Sequence, residues 1–198
     1  MRDAPFFCGE FTSPGRPDVP EWHDWSRRET TFDQLRIEEV LETLPIAGAA
    51  LLHVGCGNSS LARRFAARLG RIDGITVSPE EKALAESLRL PNYRALLLNK
   101  YSPALAALPG GYQYVVDNNP AGFACCRFHL ATLFHNSFAL LAEGGLYLTD
   151  ALGLGWVADG GEPAMAMNFE DLVEAGAQFG FVARRETDLV CSLRRGPR

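Results

Sequence analysis

A buried strand followed directly by a glycine turn constrains the fold of this chain more than any other feature of its sequence. Residues 49–54 form a short, nearly continuous apolar run, which is typical of a strand covered on both faces. The run leads into Gly55-Cys56-Gly57, and residues 61–69 are predicted to be helical. Glycines in such a turn let the backbone approach a ligand closely, and the following helix has free N–H groups at its start. The pattern predicts an α/β domain with a ligand site at this turn.

Strands and helices alternate along the rest of the chain. One helix is predicted to open at the capping-box pattern Thr31-Phe32-Asp33-Gln34, another at Ser78-Pro79-Glu80-Glu81, and a third at the cap residue Asn168. Further strands are predicted over residues 71–77, 94–98, 112–116, 146–149, 181–184 and 189–193, and a long helix over 123–141. Residues 151–167 are predicted to form a long loop. Repeated alternation of strand and helix indicates a parallel sheet with right-handed crossovers.

The composition is that of an ordinary globular domain. The 198 residues include 19 Lys and Arg and 24 Asp and Glu, a net charge of −5 without a basic stripe, so no nucleic-acid partner is expected. No apolar run approaches the roughly 20 residues of a membrane span, and the N-terminus has no signal core. The five cysteines have no metal-site or redox spacing, so no metal is expected. We therefore expect a cytoplasmic protein whose substrate is a small molecule or a protein; whether it forms a homodimer stays open.

Residues 1–30 differ from the domain predicted over residues 31–198. They contain four prolines, which argue against a regular element, and several aromatic residues, which argue against a purely disordered tail. A segment that packs its rings on the domain satisfies both facts, and as a lid it would cover the ligand pocket. The charge runs Glu80-Glu81-Lys82 and Arg184-Arg185-Glu186 are assigned to solvated faces.

Four stretches of the sequence resemble motifs of the class I S-adenosylmethionine (SAM)-dependent methyltransferases, and the resemblance covers residues 46–194. Leu51 to Gly57 has the form of the family's first motif, and Gly74 to Glu80 resembles its second-strand motif. Leu140 to Leu148 resembles the approach to the fifth strand, and Phe179 to Phe181 the start of the sixth. The resemblance implies a doubly wound, Rossmann-like fold with a mostly parallel seven-stranded sheet and an antiparallel edge hairpin.

The resemblance also implies that SAM is the cofactor and indicates which residues bind it. Open parallel sheets bind ligands in the crevice beyond the carboxyl ends of their strands, and SAM is expected there. The residues expected to bind it lie at the ends of the first four strands: His53, Gly55, Cys56, Gly57, Asn58 and Ser59 at the glycine turn, then Thr76 and Val77, Asn99 and Lys100, and Asp117 and Asn118.

Three positions depart from the family's pattern. His53 stands where the family has an acid that orients the amino group of SAM, and Thr76 where it has an acid that holds the ribose hydroxyls. Asn58-Ser59 replaces the third small residue of the turn. Because histidine does not reproduce the charge of a carboxylate, the departures predict either a different way of holding SAM or a repurposed site.

The chemistry implied by the resemblance is transfer of a methyl group from SAM to an oxygen or nitrogen atom of a small molecule. The protein aligns the acceptor with the methyl group and can remove a proton from it. The candidate catalytic residues are Asp117 beyond the fourth strand, His129 on the predicted long helix, and His23 in the cluster Trp22-His23-Asp24-Trp25. Asp117 to Pro120 also partly matches the motif of amino-methylating members.

Two other functions stay open at this point. In a non-methylating relative, SAM would be structural or absent, and the pocket would serve another ligand or reaction; His53 and Thr76 motivate this alternative. In a nicotinamide-dinucleotide enzyme, Gly55-x-Gly57-x-x-Ser60 would bind the cofactor. That fingerprint requires a third glycine, which is missing, and Thr76 is no acid for the ribose.

Overall fold

The computed structural model describes residues 24–124, 126–158 and 163–195, which build one seven-stranded sheet. The strands are β1 (Ala50–Val54), β2 (Arg71–Thr76), β3 (Tyr93–Leu97), β4 (Tyr112–Asp117), β5 (Leu141–Asp150), β6 (Phe181–Arg185) and β7 (Val190–Arg195). They lie in the order β3-β2-β1-β4-β5-β7-β6, and within this sheet only β7 runs opposite to the other strands. The predicted mostly parallel sheet with an antiparallel edge pair is confirmed.

Helices cover both faces of this sheet. The helices are α1 (Phe32–Thr43), α2 (Ser60–Phe65), α3 (Pro79–Ser87), α4 (Arg127–Leu140), α5 (Ala151–Gly155) and α6 (Phe169–Gln178). α1 and α2 pack on one face, α4 and α6 pack on the other, and α3 lies against β2 and β3. Burial of apolar side chains between the layers supplies the main favourable term in folding. In the described ranges no helix is long and apolar enough to cross a membrane.

Two of the predicted helix starts are confirmed by their caps. The Ser78 hydroxyl accepts a hydrogen bond from the backbone N–H of Glu81 at 3.3 Å, which opens α3. Asn168 and Asp171 form a reciprocal capping box at the start of α6, with both bonds at 2.9 Å. Such caps satisfy backbone donors that a helix terminus leaves free.

The capping box predicted at the start of α1 is wrong, although the helix itself is present. Thr31 precedes the helix, but its side chain makes no cap bond. Gln34, the other member of the predicted box, is turned along the helix and donates to Glu38 at 3.2 Å. An i,i+4 side-chain pair therefore replaces the reciprocal cap.

Several element boundaries also differ from the predicted ones. α4 begins at Arg127 instead of residue 123, and β5 follows it directly from Leu141 instead of starting at residue 146. Within the predicted loop 151–167, Asp150 caps α5 by accepting a bond from the Leu152 N–H at 2.9 Å. An apolar pattern shows which residues are buried, but it does not fix the residue at which the backbone changes conformation.

The strand order reverses beside β1, and this reversal positions the site. β1 pairs with β2 on one side and with β4 on the other, so the chain crosses the sheet in opposite directions from this point. The loops beyond the carboxyl ends of β1 and β4 diverge toward opposite faces, which leaves a crevice between them.

Candidate ligand-binding site

A cavity of about 360 Å³ occupies the crevice beyond β1, β2 and β4. Most of the residues predicted to bind a cofactor line it: His53, Gly55, Cys56, Gly57, Asn58, Thr76, Val77, Asn99, Lys100 and Asn118. Two predicted residues, Ser59 and Asp117, do not line it. The cavity volume falls in the range of small-molecule sites.

The glycine turn forms one wall of this cavity. Gly55 and Gly57 have φ angles of 77° and 48°, a conformation that side chains disfavour. Cys56 between them is buried, and burial raises the pKa of its thiol to about 12, so the sulfur is no nucleophile near neutral pH. Ser59 is fully buried behind the turn, where its hydroxyl lies 2.9 Å from the Tyr93 hydroxyl, and it braces the turn from outside the cavity.

His53 lines the cavity at the end of β1 as a neutral side chain. It is 4% exposed, and its Nδ1 has no hydrogen-bond partner in the described parts of the chain. Burial lowers the pKa of His53 to about 4, because the charged imidazolium would lose its hydration. A buried polar atom without a partner carries a free-energy cost, so this nitrogen is available to a ligand.

Helix α1 places a carboxylate beside the loop after β4. The amide Nδ2 of Asn118 donates to Asp33 Oδ2 at 2.7 Å, while Asn118 Oδ1 is buried without a partner in the described ranges. The helix is held there by Arg36, whose guanidinium donates to both carboxylate oxygens of the buried Asp150 at 2.8 and 2.9 Å. Bidentate pairs of this kind fix orientation as well as distance.

The end of β2 receives a second carboxylate, from α3. Thr76 Oγ1 donates to Glu81 Oε2 at 2.5 Å and accepts from the Ser78 N–H at 3.0 Å. Glu81 is 3% exposed and lines the cavity, so its assignment to a solvated face was wrong. Burial raises the pKa of Glu81, against the opposing effect of the hydrogen bond from Thr76. Its position three residues after a helix cap that follows β2 is the signal that could have identified it.

The described end of the N-terminal segment lies over the glycine turn. Asn58 donates from Nδ2 to the carbonyl of Arg28 at 2.8 Å, and the Trp25 N–H donates to Glu81 Oε1 at 3.3 Å. A Cβ on Gly57 would lie 3.5 Å from the Trp25 Cβ, so the two segments are in contact. His23, the predicted base of this segment, lies outside the described residues.

Comparison with known proteins identifies the fold. No protein-family model matches the chain, and no curated protein sequence matches it significantly. The N-methyltransferase NodS from Bradyrhizobium japonicum WM9, crystallised with S-adenosyl-L-homocysteine, is similar with a TM-score of 0.64 and 15% identity over 87% of this chain and 92% of that chain. CalS10, a SAM-bound amino pentose methyltransferase from Micromonospora echinaspora, has a TM-score of 0.60 and 18% identity over 86% and 93%. The cyclase SpnF has a TM-score of 0.56 and 20% identity over 80% and 61%.

The strand order, the inserted antiparallel β7 and these similarities agree with one another. The chain has the class I methyltransferase fold. At these identities the similarity establishes the fold, and the resemblance seen in the sequence is confirmed at that level. The parallel order 3-2-1-4-5-6 of dinucleotide-binding domains lacks a strand such as β7 between the fifth and sixth. This difference disfavours the nicotinamide alternative.

Asp117, the predicted base beyond β4, is enclosed in the methyltransferase fold by a buried cluster. Lys100 Nζ lies 2.9 and 3.1 Å from its two carboxylate oxygens and also donates to the Asn119 carbonyl at 2.7 Å. The Tyr147 hydroxyl donates to Asp117 Oδ2 at 3.0 Å. Asp117 is fully buried and both of its oxygens are engaged, so it is not presented to the cavity.

His129, the predicted base on α4, is also outside the cavity lining. Its side chain is 4% exposed, with Nδ1 at 3.4 Å from the Cys126 thiol, and burial lowers its pKa. The structure therefore does not bring Asp117 and His129 together in the cavity. Among the described residues, no cluster of His, Cys, Asp and Glu side chains is arranged to hold a metal ion.

Two aromatic residues that the sequence did not single out form a further part of the cavity wall. Phe123 and Trp156 meet edge to face, with ring centroids 5.4 Å apart. A Cβ on Gly122 would lie 2.6 Å from the Trp156 ring, so the glycine is what allows this ring to approach. The two residues are distant in sequence, and only the fold brings them together.

Proposed function

We propose that the chain binds SAM in this cavity and transfers its methyl group to an oxygen or nitrogen atom of a small molecule. The observation that carries the proposal is the cavity itself. It lies at the glycine turn of a methyltransferase fold, and two of its lining residues have a buried polar atom without a partner among the described residues, His53 Nδ1 and Asn118 Oδ1. Buried polar atoms in native proteins are almost always satisfied, and a polar ligand would satisfy these.

The residues of the cavity fit the parts of SAM. The glycine turn lets the protein backbone approach SAM closely, and His53 and Asn118 are available to its polar methionine part. Asn99 and Lys100, beyond β3, lie on the side proposed for the adenine. NodS was crystallised with S-adenosyl-L-homocysteine and CalS10 with SAM, which supports SAM as the cofactor of this chain.

When bound, SAM supplies a methyl group that its sulfonium already activates. The task of the protein is then to bind, orient and exclude water. We propose that Phe123 and Trp156 form the apolar wall against which the acceptor packs. Residues 24–30 are proposed as part of a lid, because Asn58 and Glu81 bond them to the glycine turn and α3. Asp117 is not proposed as a base, since Lys100 and Tyr147 already engage its carboxylate.

A small-molecule acceptor is supported by the neighbours, since CalS10 is an amino pentose methyltransferase. The acceptor atom is not fixed by the cavity. The cytoplasmic location and the absence of a nucleic-acid partner stay predictions from the sequence, and the oligomeric state stays open.

A non-methylating function is the second candidate, and two sequence departures and one comparison favour it. His53 and Thr76 remove the strand-end acids that the family resemblance implies, and the similar protein SpnF is a cyclase. In this alternative the same cavity serves a different reaction. Binding of SAM alone does not separate the two candidates; product formation does.

The first experiment is titration calorimetry of the full chain with SAM and with S-adenosylhomocysteine. The proposal expects binding of both. Absence of binding of either at high micromolar concentration would refute it. The second experiment incubates the protein with SAM and a panel of small amines and alcohols and measures S-adenosylhomocysteine. Formation that depends on one acceptor class supports methyl transfer, whereas tight binding without turnover across the panel favours the non-methylating alternative.

A further inference from the structure

Two helices supply carboxylates to the cavity whose strand-end positions lack an acid. Glu81 is bonded to Thr76. Asp33 is bonded to Asn118 and lines the same cavity as His53. SAM carries an α-ammonium group, which needs acceptors, and a ribose diol, which a carboxylate can bind through two hydroxyls. We propose that Asp33 of α1 binds the α-ammonium group and that Glu81 of α3 binds the ribose hydroxyls. This inference rests on the proposed function and assigns the contacts that hold the cofactor.

The corner around Asp33 offers acceptors to a ligand. Asn118 donates its amide N–H to Asp33 Oδ2, and its Oδ1 is buried without a partner in the described part of the chain. His53 is neutral near pH 7, so one nitrogen of its ring is an acceptor. Asp33 contributes a carboxylate in the same cavity wall. An ammonium group has three N–H donors and no acceptor, and it is complementary to these three side chains.

The position of Asp33 is set by contacts that do not involve a ligand. Arg36, one turn along α1, is held by its two hydrogen bonds to the fully buried Asp150 at the end of β5. The first turn of α1 is thereby fixed over the ends of β4 and β5. A preorganised carboxylate loses little freedom when a ligand binds, which favours affinity.

Glu81 is oriented by its neighbours and keeps capacity for a ligand. Oε2 accepts from Thr76, Oε1 accepts from the Trp25 N–H, and the backbone N–H of Gly57 also bonds the carboxylate, which has about four lone-pair sites in all. Thr76 Oγ1 also accepts from the Ser78 N–H, so its hydroxyl is used as both donor and acceptor. Thr76 is therefore a positioning residue, and Glu81 is the residue that faces the ligand.

The two carboxylates lie on opposite sides of β1. Asp33 is bonded to the residue that follows β4, and Glu81 is bonded to the last residue of β2. Because β1 separates these strands, the sites are about two strand spacings apart, or about 10 Å. The glycine turn lies between them. An extended ligand whose diol and ammonium group are this far apart, with a further group beyond the diol, spans this arrangement.

The test uses S-adenosylhomocysteine and two analogues, one that lacks the α-amino group and one that lacks the ribose 2′-hydroxyl. Calorimetry of the wild-type chain is expected to show about tenfold or greater preference for the parent over each analogue. Asp33→Asn is expected to abolish the preference over the first analogue and to keep the preference over the second. Glu81→Gln is expected to produce the opposite pattern.

The chain offers matched controls on the same helices. Glu39→Gln on α1 and Glu80→Gln on α3 replace exposed carboxylates outside the cavity lining, and both preferences are expected to persist. If Glu81→Gln unfolds, Thr76→Val tests the same contact, because it releases the carboxylate that Thr76 orients. Its expected effect is a smaller preference over the 2′-deoxy analogue alone.

Three outcomes are distinguishable. Loss of the matching preference in each variant supports the assignment. If a variant binds all three ligands more weakly by the same factor, or keeps the wild-type preferences, the assignment for that carboxylate is overturned, while the cofactor site stands. Failure of the wild-type chain to bind any of the three ligands refutes the proposed function, and the assignment falls with it.

Discussion

Asp117 and Asn118 are consecutive residues at the end of β4, yet they serve opposite faces of the sheet. Asp117 points to the α4 face, where Lys100 and Tyr147 engage both of its oxygens. Asn118 points to the α1 face, where its Nδ2 donates to Asp33 and its Oδ1 is left without a partner in the described structure. The carboxylate of Asp117 has all its bonds within the fold, whereas Asn118 has an oxygen that a ligand can bond.

The difference shows that two consecutive residues at a strand end can have different roles, one in stabilising the fold and one in binding a ligand. A buried charge needs a partner, and the Lys100–Asp117 pair supplies it within the fold. A neutral amide tolerates an unpartnered oxygen at a lower cost, so the fold can leave it open. Position after β4 predicted both residues as cofactor contacts. The alternation of side chains along the strand decides which of them faces the cavity.

The largest expected effect on stability comes from removing one partner of the buried Lys100–Asp117 pair. Asp117→Ala leaves the Lys100 ammonium, whose side chain is 11% exposed, without its counter-charge. We expect a loss of about 3–5 kcal/mol in the free energy of unfolding, measured by urea denaturation. The double variant Lys100→Met with Asp117→Leu removes both charges and is expected to recover much of that loss. A single variant within about 1 kcal/mol of wild type would contradict the comparison.

An intermediate effect is expected from pH on the ligand side. Burial lowers the pKa of His53 from 6.5 to about 4. Between these values the unfolded chain binds a proton that the folded chain does not, so stability falls as the pH falls from about 6.5 to about 4. The difference of pKa corresponds to about 3 kcal/mol. Urea denaturation of wild type and His53→Gln across this pH range measures it, and parallel stability curves for the two proteins would show that His53 does not contribute.

The smallest expected effect comes from removing the side chain with the spare atom. Asn118→Ala removes one hydrogen bond to Asp33. Because Oδ1 has no partner among the described residues, no bond of that atom is lost, and the free energy of unfolding should fall by about 1 kcal/mol. Asn118→Asp sharpens the test, because it places a second carboxylate beside Asp33 and is expected to destabilise more than alanine. Thermal or urea denaturation measures both. An alanine variant as destabilised as Asp117→Ala would remove the contrast between the two faces.

Much of the fold could be predicted from the sequence because its signals are local. Gly55 and Gly57 mark the turn, Ser78 and Asn168 mark helix starts, and these features are present in the structure. The start of β5 was missed, because the residues before the Gly144-Gly145 pair continue the apolar pattern of α4.

The candidate site was less predictable, because it depends on contacts between distant residues. Glu81 reads as a surface charge in sequence, and only the packing of α3 against β2 buries it beside Thr76. Asn58 departs from the family pattern, and its side chain donates a hydrogen bond to the carbonyl of Arg28, thirty residues earlier, which explains an asparagine at this position. No periodic pattern in the sequence could have predicted either of these two contacts.

The place of β7 has a consequence for how the chain acquires its sheet during synthesis. Val190–Arg195 is the last of the described strands in the sequence, yet it lies between β5 and β6, and β6 pairs with no other described strand. Until these residues leave the ribosome, β5 presents an unpaired edge to the surrounding solution. Such an edge is a template for pairing with another chain. The interval between the emergence of β5 and that of β7 is therefore the period in which a nascent chain is most exposed to aggregation.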